Sequence, residues 1–392
     1  MKYVFALGFL CFAICLQGQT IDLNQGNFIA NDYFIELPYQ NINDKIIIEI
    51  ELSGKKRKFI LDTGAPLVLS KALFETLNCP VLAKQPVTDI NQKKDSLLFV
   101  HVDSLKIGSN YLTGIPAVVL NNNVIMDCLG IDGFIGSNVL RNSIIQFDAK
   151  NETIRITDDL SKLNVVGSNG TDLMLDQQSS PYLKFNIGKK ISEFALFDSG
   201  LDEFYSMAHG KIEKFTKAKD FKIVAKSNGS NTMGMTGVGN YQETALLYIP
   251  FVKLNGVQID HIVSESNNDI NSSIGVKILQ YGKLTIDYKN KKCYFENYET
   301  SNEFKNDQLQ ISPNYINNSL CIGKIWTKEL AGKVTIGDKI VSINGVNVEN
   351  MTMCEALTKP SLKGKSNIKM EVKKSTGEII SIVIDKVTWE KE

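Results

Sequence analysis

The sequence predicts a mainly β protein: a duplicated pair of units followed by a smaller α+β module. Three observations carry this. From about residue 31 to 298 the chain is written in short apolar runs, such as 45–52, 58–61, 117–120, 143–147 and 153–156, broken by Gly, Asn, Asp and Pro. Val, Ile, Phe and Tyr dominate these runs and helical periodicity is scarce, which is the pattern of many short strands. The chain also repeats itself. Ile135-Gly136-Ser137-Asn138-Val139-Leu140 aligns with Ile274-Gly275-Val276-Lys277-Ile278-Leu279 at an offset of 139 (275 − 136), and Phe147-Asp148 meets Ile286-Asp287 without a gap (287 − 148 = 139). A repeat in constant phase signals duplicated units. After Tyr298 comes a polar stretch, 299–308, and then a different arrangement of strands, turns and one short helix.

The elements follow in order. Residues 1–18 begin with Lys2, continue through the nearly all-apolar stretch 3–16 and end at Gly18, as an export signal does. The run is short for a bilayer, which needs about 20 apolar residues. No small residue precedes Cys11 or Cys15, so a lipid anchor is not expected, and no later segment reads as a membrane span. Removing the signal leaves 374 residues (392 − 18), enough for two to four domains at roughly 100–200 residues each. The units are placed at 31–160, 165–298 and 305–390, with short helices at 71–77 and 209–218 in the first two. In the third, strands are expected near 320–326, 368–372 and 378–384, and a helix at 353–358 ends before Pro360.

Lys plus Arg and Asp plus Glu balance at 43 each, which removes the electrostatic case for nucleic acid or an anionic membrane. Partners are expected to bind through shape and hydrogen bonding. Cys79, Cys128, Cys293, Cys321 and Cys354 follow the signal with no pairwise or metal-like spacing, so a disulfide is permitted but not specified. His101, His209 and His261 lie far apart without cysteine neighbours, and no metal site is expected.

The chemistry lies in two phrases, Ile60-Leu61-Asp62-Thr63-Gly64 and Leu196-Phe197-Asp198-Ser199-Gly200, offset by 136 (198 − 62). One Asp-Thr-Gly is most simply a turn in which Asp caps its own backbone. Two in matching positions of a repeat can bring two carboxylates together. A close pair cannot ionise twice cheaply, so one acid keeps a proton while the other stays charged. The charged member can take a proton from water, and the neutral one can donate to a peptide carbonyl and stabilise the oxyanion that forms. Thr63 and Ser199 are suited to lock the turns through hydroxyl-to-backbone bonds, and Gly64 and Gly200 allow close backbone approach.

With these residues, the region from about 31 to 298 resembles the pepsin and retropepsin family of aspartic peptidases. That resemblance implies two β-barrel lobes with a cleft between them, an extended peptide or unfolded protein as substrate, and no metal or organic cofactor. Later turns of the family's apolar-apolar-Gly type match Phe134-Ile135-Gly136 and Ser273-Ile274-Gly275, the second with a polar first residue. Two lobes in one chain resemble the pepsin arrangement, so a monomer suffices. Pepsin-like enzymes usually carry Ser or Thr directly after the triplet glycine. Here Ala65 and Leu201 stand there, the former resembling the retroviral type. Loss of that donor raises the pair's apparent pKa values, and a working pH closer to neutral than pepsin's is expected.

The family also covers its substrate with a mobile hairpin. Residues 227–239, with Gly229, Gly234, Gly237 and Gly239 around Met233 and Met235, suit that role. The matching stretch of the first unit, 88–96, is charged and lacks Gly. In the third unit, Gly337-Asp338-Lys339-Ile340 followed by Asn344-Gly345 resembles a PDZ domain of the kind found on exported bacterial proteases. This implies a C-terminal peptide bound by strand addition, for which Leu320, Cys321, Ile322 and Gly323 are the expected segment. The overall expectation is an exported aspartic endopeptidase, periplasmic or secreted, using Asp62 and Asp198. The competing expectation is a non-catalytic peptide-binding derivative, suggested by Leu201-Asp202-Glu203 after the second triplet.

Overall fold

A computed structural model describes residues 21–88, 94–121, 123–165, 169–230, 233–234, 237–238, 241–300, 302–359, 362 and 365–387. The expected export signal, residues 1–18, lies outside them. Among the described residues the chain is mainly β, and no helix is long and apolar enough to cross a membrane.

The first half starts from a hairpin of Lys45–Leu52 and Lys55–Leu61, turned at Ser53 and Gly54, both with positive φ (51° and 72°). Such turns match the right-handed twist of paired strands. From Lys55–Leu61 the pairing passes through Gly133–Ile135, Val68–Ser70, Asn110–Leu120, Lys94–Ile107 and back to Lys45–Leu52. The ring is closed, which leaves its member strands without an open edge. The expected helices at 71–77 and 209–218 occur as the shorter Lys71–Phe74 and His209–Thr216.

The second half repeats the crossing that matters for the triplets. Ser273–Gly275 runs parallel to Ile191–Asp198 and antiparallel to Tyr205–Ser206. Gly133–Ile135 likewise runs parallel to Lys55–Leu61 and antiparallel to Val68–Ser70. The halves join through Ile144–Asp148 and Gly282–Asp287, where Gln146 stands directly opposite Thr285 and donates from Nε2 to Thr285 Oγ1 at 3.0 Å. These residues differ by the repeat offset (285 − 146 = 139), so equivalent positions of the two copies face each other across a local two-fold relation.

Alternation along Lys55–Leu61 sends its last side chains into two cores. Phe59 and Leu61 enter a cluster that runs through both halves, where Phe147 and Phe197 meet edge to face at 5.4 Å. Ile60 points the other way, into a cluster shared with Ile311, Tyr315, Ile340 and Ile368 of the C-terminal module. The strand that carries the first triplet is thus packed on both faces.

The C-terminal module orders its strands Ile311–Ile316, Ser319–Ile325, Lys339–Ile343, Ile368–Lys373 and Ile379–Ile384, with Val346–Asn347 beside Lys339–Ile343. Asn344 and Gly345 form the expected tight turn with φ of 48° and 76°, and Met353–Thr358 begins with a capping box between Thr352 and Glu355. The module is fastened to the first half by a disulfide between Cys128 and Cys354 and by Asn43 Nδ2 donating to Leu357 O. A buried ion pair, Lys324 Nζ to Glu265 Oε2 at 2.8 Å, ties it to the second half.

One expectation is corrected here. Leu320, Cys321, Ile322 and Gly323 lie on an interior strand, paired with Ile311–Ile316 on one side and bonded to Gly337 and Asp338 on the other through Ile322. Leu320 and Ile322 are needed in the core, and Gly323 O accepts from Ser230 N. They offer no open edge to a peptide. Among the described strands the sheet ends at Ile311–Ile316, which is largely buried, and at Ile379–Ile384.

Candidate active site

Each triplet turns at the end of a buried strand. Asp62 N donates to Ile135 O at 2.9 Å, extending the parallel pairing by one residue, and Ala65 N then closes a turn onto Asp62 O at 3.2 Å. Asp62 Oδ1 accepts from Gly64 N at 3.1 Å, the local Asx geometry that short acids favour. The second turn repeats it: Asp198 Oδ1 accepts from Gly200 N at 3.0 Å, and Leu201 N donates to Asp198 O at 3.1 Å. Beneath them, Ile135-Gly136 and Ile274-Gly275 pass close to the backbone. A Cβ on Gly136 would lie 2.1 Å from Ala65 O, and one on Gly275 would lie 2.2 Å from Glu203 O. Both positions exclude a side chain.

The turns are bound to each other. Thr63 N donates to Ser199 Oγ at 3.0 Å and Ser199 N to Thr63 Oγ1 at 3.0 Å. The same hydroxyls donate onward, Thr63 Oγ1 to Phe197 O at 2.7 Å and Ser199 Oγ to Leu61 O at 2.8 Å. Sequence reasoning assigns these hydroxyls to locking the turns, and the structure places every one of the four bonds across the two halves. Ser137 Oγ supports the first turn by donating to Thr63 O at 2.6 Å.

The carboxyls are held where the turns meet. Asp62 reaches across, so that a Cβ on Gly200 would sit 2.7 Å from its Oδ2. Asp62 is 6% exposed and Asp198 is fully buried. Burial raises Asp62 to about 6, opposed by the Lys45 charge and by the Gly64 and Ala65 N–H groups. Asp198 is pushed up further, by burial first and then by the neighbouring charge of Asp62. Its Oδ2 has no hydrogen-bond partner among the described residues. Two buried carboxyls, one raised by the charge of the other, cannot both ionise cheaply, so the pair holds one proton where it carries one charge.

Lys45 is the site residue that sequence reasoning misses. It opens the strand Lys45–Leu52, is 3% exposed, and donates from Nζ to Gly200 O. Its place in an apolar run reads as an ordinary strand end, and no motif marks it.

The glycine-rich segment forms a hairpin between Lys222–Gly229 and Gln242–Leu254, with Met233–Gly234 paired to Gly237–Val238 beyond it. Gly239 lies outside the described residues. At the top of the first strand, Gly229 is pressed on the C-terminal module: a Cβ there would lie 2.0 Å from Gly323 O. Ser230 O accepts from Asn314 Nδ2 at 2.7 Å. The expected cover and the C-terminal module thus meet at two glycines.

Residues 48–139 match a family model for aspartyl proteases. The match takes in Asp62 and Gly136 and ends before Asp198. No curated protein matches the chain. Solved structures similar to it include basic 7S globulin from soybean, at 12% identity over 68% of this chain and 94% of that one, with a TM-score of 0.41. Conglutin gamma, a basic 7S globulin from lupine seeds, is similar at 11% identity over 69% and 96%, with a TM-score of 0.39.

Proposed function

We propose that this chain is an exported aspartic endopeptidase of two lobes, 31–160 and 165–298, joined to a PDZ-like module at 305–390. The observation that carries the reading is the crossed hydrogen bonding of Thr63 and Ser199, which holds Asp62 against Gly200 of the opposite turn. In the mechanism this supports, ionised Asp62 takes a proton from a water molecule as that water attacks the peptide carbonyl. Protonated Asp198 donates to the carbonyl oxygen, stabilising the tetrahedral oxyanion. Collapse of this intermediate passes a proton to the departing amine, and the C–N bond breaks. The donors to each carboxyl are backbone N–H groups held by the turns, so little reorganisation accompanies the reaction.

The PDZ-like reading rests on strand order, on the Asn344-Gly345 turn and on the buried Asp338, whose Oδ2 accepts from Thr335 N at 2.7 Å. Within it, residues 320–323 are paired on both sides and leave no edge for an added peptide strand. Disulfide bonding between Cys128 and Cys354 is in keeping with an oxidising compartment.

One observation favours a second reading, a protein that grips peptides without cutting them: both acids are nearly or fully buried. The two are separated by incubating the mature protein with an unfolded protein and with a fluorescent peptide across pH, with and without pepstatin. The peptidase reading expects new peptide ends whose appearance pepstatin suppresses. Saturable peptide binding with no cleavage at any pH supports the binding protein instead.

A further inference from the structure

Lys45 is a lysine in a place where lysines are rare. At 3% exposure its ammonium is removed from water, which is costly for a charge without compensation. The compensation is local: Nζ donates to Gly200 O, and the Asp62 carboxyl rests against the α-carbon side of the same glycine. A single residue of the second turn thus carries the cation on its carbonyl and the first carboxyl on its open face. The residues that follow the triplet glycines, Ala65 and Leu201, have side chains with no donor, so on that side the pair receives backbone N–H groups alone.

We propose that Lys45 is a positioning residue of the site: its ammonium fixes the Gly200 carbonyl and supplies the positive charge that keeps one member of the Asp62–Asp198 pair ionised. Its consequence for catalysis rests on the peptidase reading, whereas its effect on the carboxyls does not. Without a nearby cation, burial favours the doubly neutral pair, which holds an acid but no base. Among the described residues, the charge of Lys45 opposes the effect of burial at both acids, and the charge of Asp62 adds to that effect at Asp198. A positive charge lowers both apparent pKa values, so removing it moves both upward. A lysine that merely bridges the halves by hydrogen bonding would instead leave the titration in place.

The test compares wild type with Lys45→Arg, which keeps the charge, and with Lys45→Gln and Lys45→Met, which remove it. Two readouts are needed: the titration of the Asp62 and Asp198 carboxyl carbons by ¹³C NMR, and the pH dependence of kcat/KM on a peptide substrate. Expected are upward shifts on the order of one pH unit in the carboxyl titrations and in both limbs of the rate profile for the Gln and Met variants, with Arg close to wild type. Should the Met variant not fold, the comparison of Gln with Arg carries the test. Titrations that coincide in wild type and Lys45→Gln overturn the proposal, even if kcat falls. Shifted carboxyls in a protein that cleaves nothing leave Lys45 assigned and refute the peptidase reading; cleavage with unshifted limbs does the reverse.

Discussion

Thr63 and Ser199 exchange hydrogen bonds through equal distances of 3.0 Å, each hydroxyl accepting from the other's backbone N–H. The two residues differ by 136 in sequence (199 − 63) and are the strongest physical tie between the triplets. Each substitution to a residue without the hydroxyl leaves a buried donor unpaired, at about 1–3 kcal/mol. Thr63→Val and Ser199→Ala are expected to destabilise the fold by that order. Their effects should be non-additive, which a double-mutant cycle in chemical denaturation measures; additive costs contradict a shared lock.

Gly200→Ala is expected to spare the fold and damage the site. Gly200 is not among the residues with positive φ, so an alanine backbone fits there. Its methyl would lie 2.7 Å from Asp62 Oδ2 and must displace the carboxyl. Displacements of about 1 Å at reacting groups cost roughly 100-fold in rate. A near-normal melting temperature with kcat/KM down by that order is the predicted result.

Asp62 gives stability a pH dependence whose sign follows from its raised pKa. Folding favours its neutral form, so its contribution is fully present below the unfolded carboxylate value near 4 and is lost as pH rises through about 6. Asp62→Asn, which cannot ionise, is therefore expected to be more stable than wild type at pH 7, by up to about 3 kcal/mol, with the gap closing near pH 4. Thermal melts of both proteins across this range check it, and a gap that widens toward acid contradicts it.

Lys324 and Glu265 hold the C-terminal module to the second half in a buried pair at 2.8 Å, extended by Ser312 Oγ donating to Glu265 Oε1 at 3.3 Å and Trp326 Nε1 donating to Ser312 Oγ at 3.1 Å. Removing one partner strands the other charge. Lys324→Met is expected to cost about 3–5 kcal/mol, and Lys324→Met with Glu265→Leu to recover part of it, as read from denaturant midpoints.

Cys128 and Cys354 close a loop with a sequence separation of 226. Loss of that crosslink is expected to destabilise by up to about 5 kcal/mol through the freed unfolded chain. Cys354→Ser should lower the melting temperature, and reduction should raise the mass of the native protein by two hydrogens. Three further described cysteines carry free thiols, so thiol counting before and after reduction reports the bridge directly.

Much of the site was legible because duplication leaves marks in sequence. The offset of 139 between Gln146 and Thr285 is realised as a direct cross-strand pair, and the triplets arrive on equivalent turns. The crossings at Gly136 and Gly275 were also readable, since only glycine meets their close approach. What escaped the sequence depends on distant partners. Lys45 gains its meaning from Gly200, more than 150 residues away, and Cys128 from Cys354. The segment at 320–323 misled because its apolar residues and glycine suit a peptide-accepting loop as well as an interior strand. Only the neighbours Ile311–Ile316, Asp338 and Ser230 decide between them.

The central claim is that Asp62 and Asp198 act as one base and one acid on a shared water. Cleavage of an unfolded protein by wild type, Asp62→Asn and Asp198→Asn, each verified as folded, tests it most directly. Wild type is predicted to cleave and each variant to lose cleavage by several orders of magnitude; turnover that survives in either variant contradicts it.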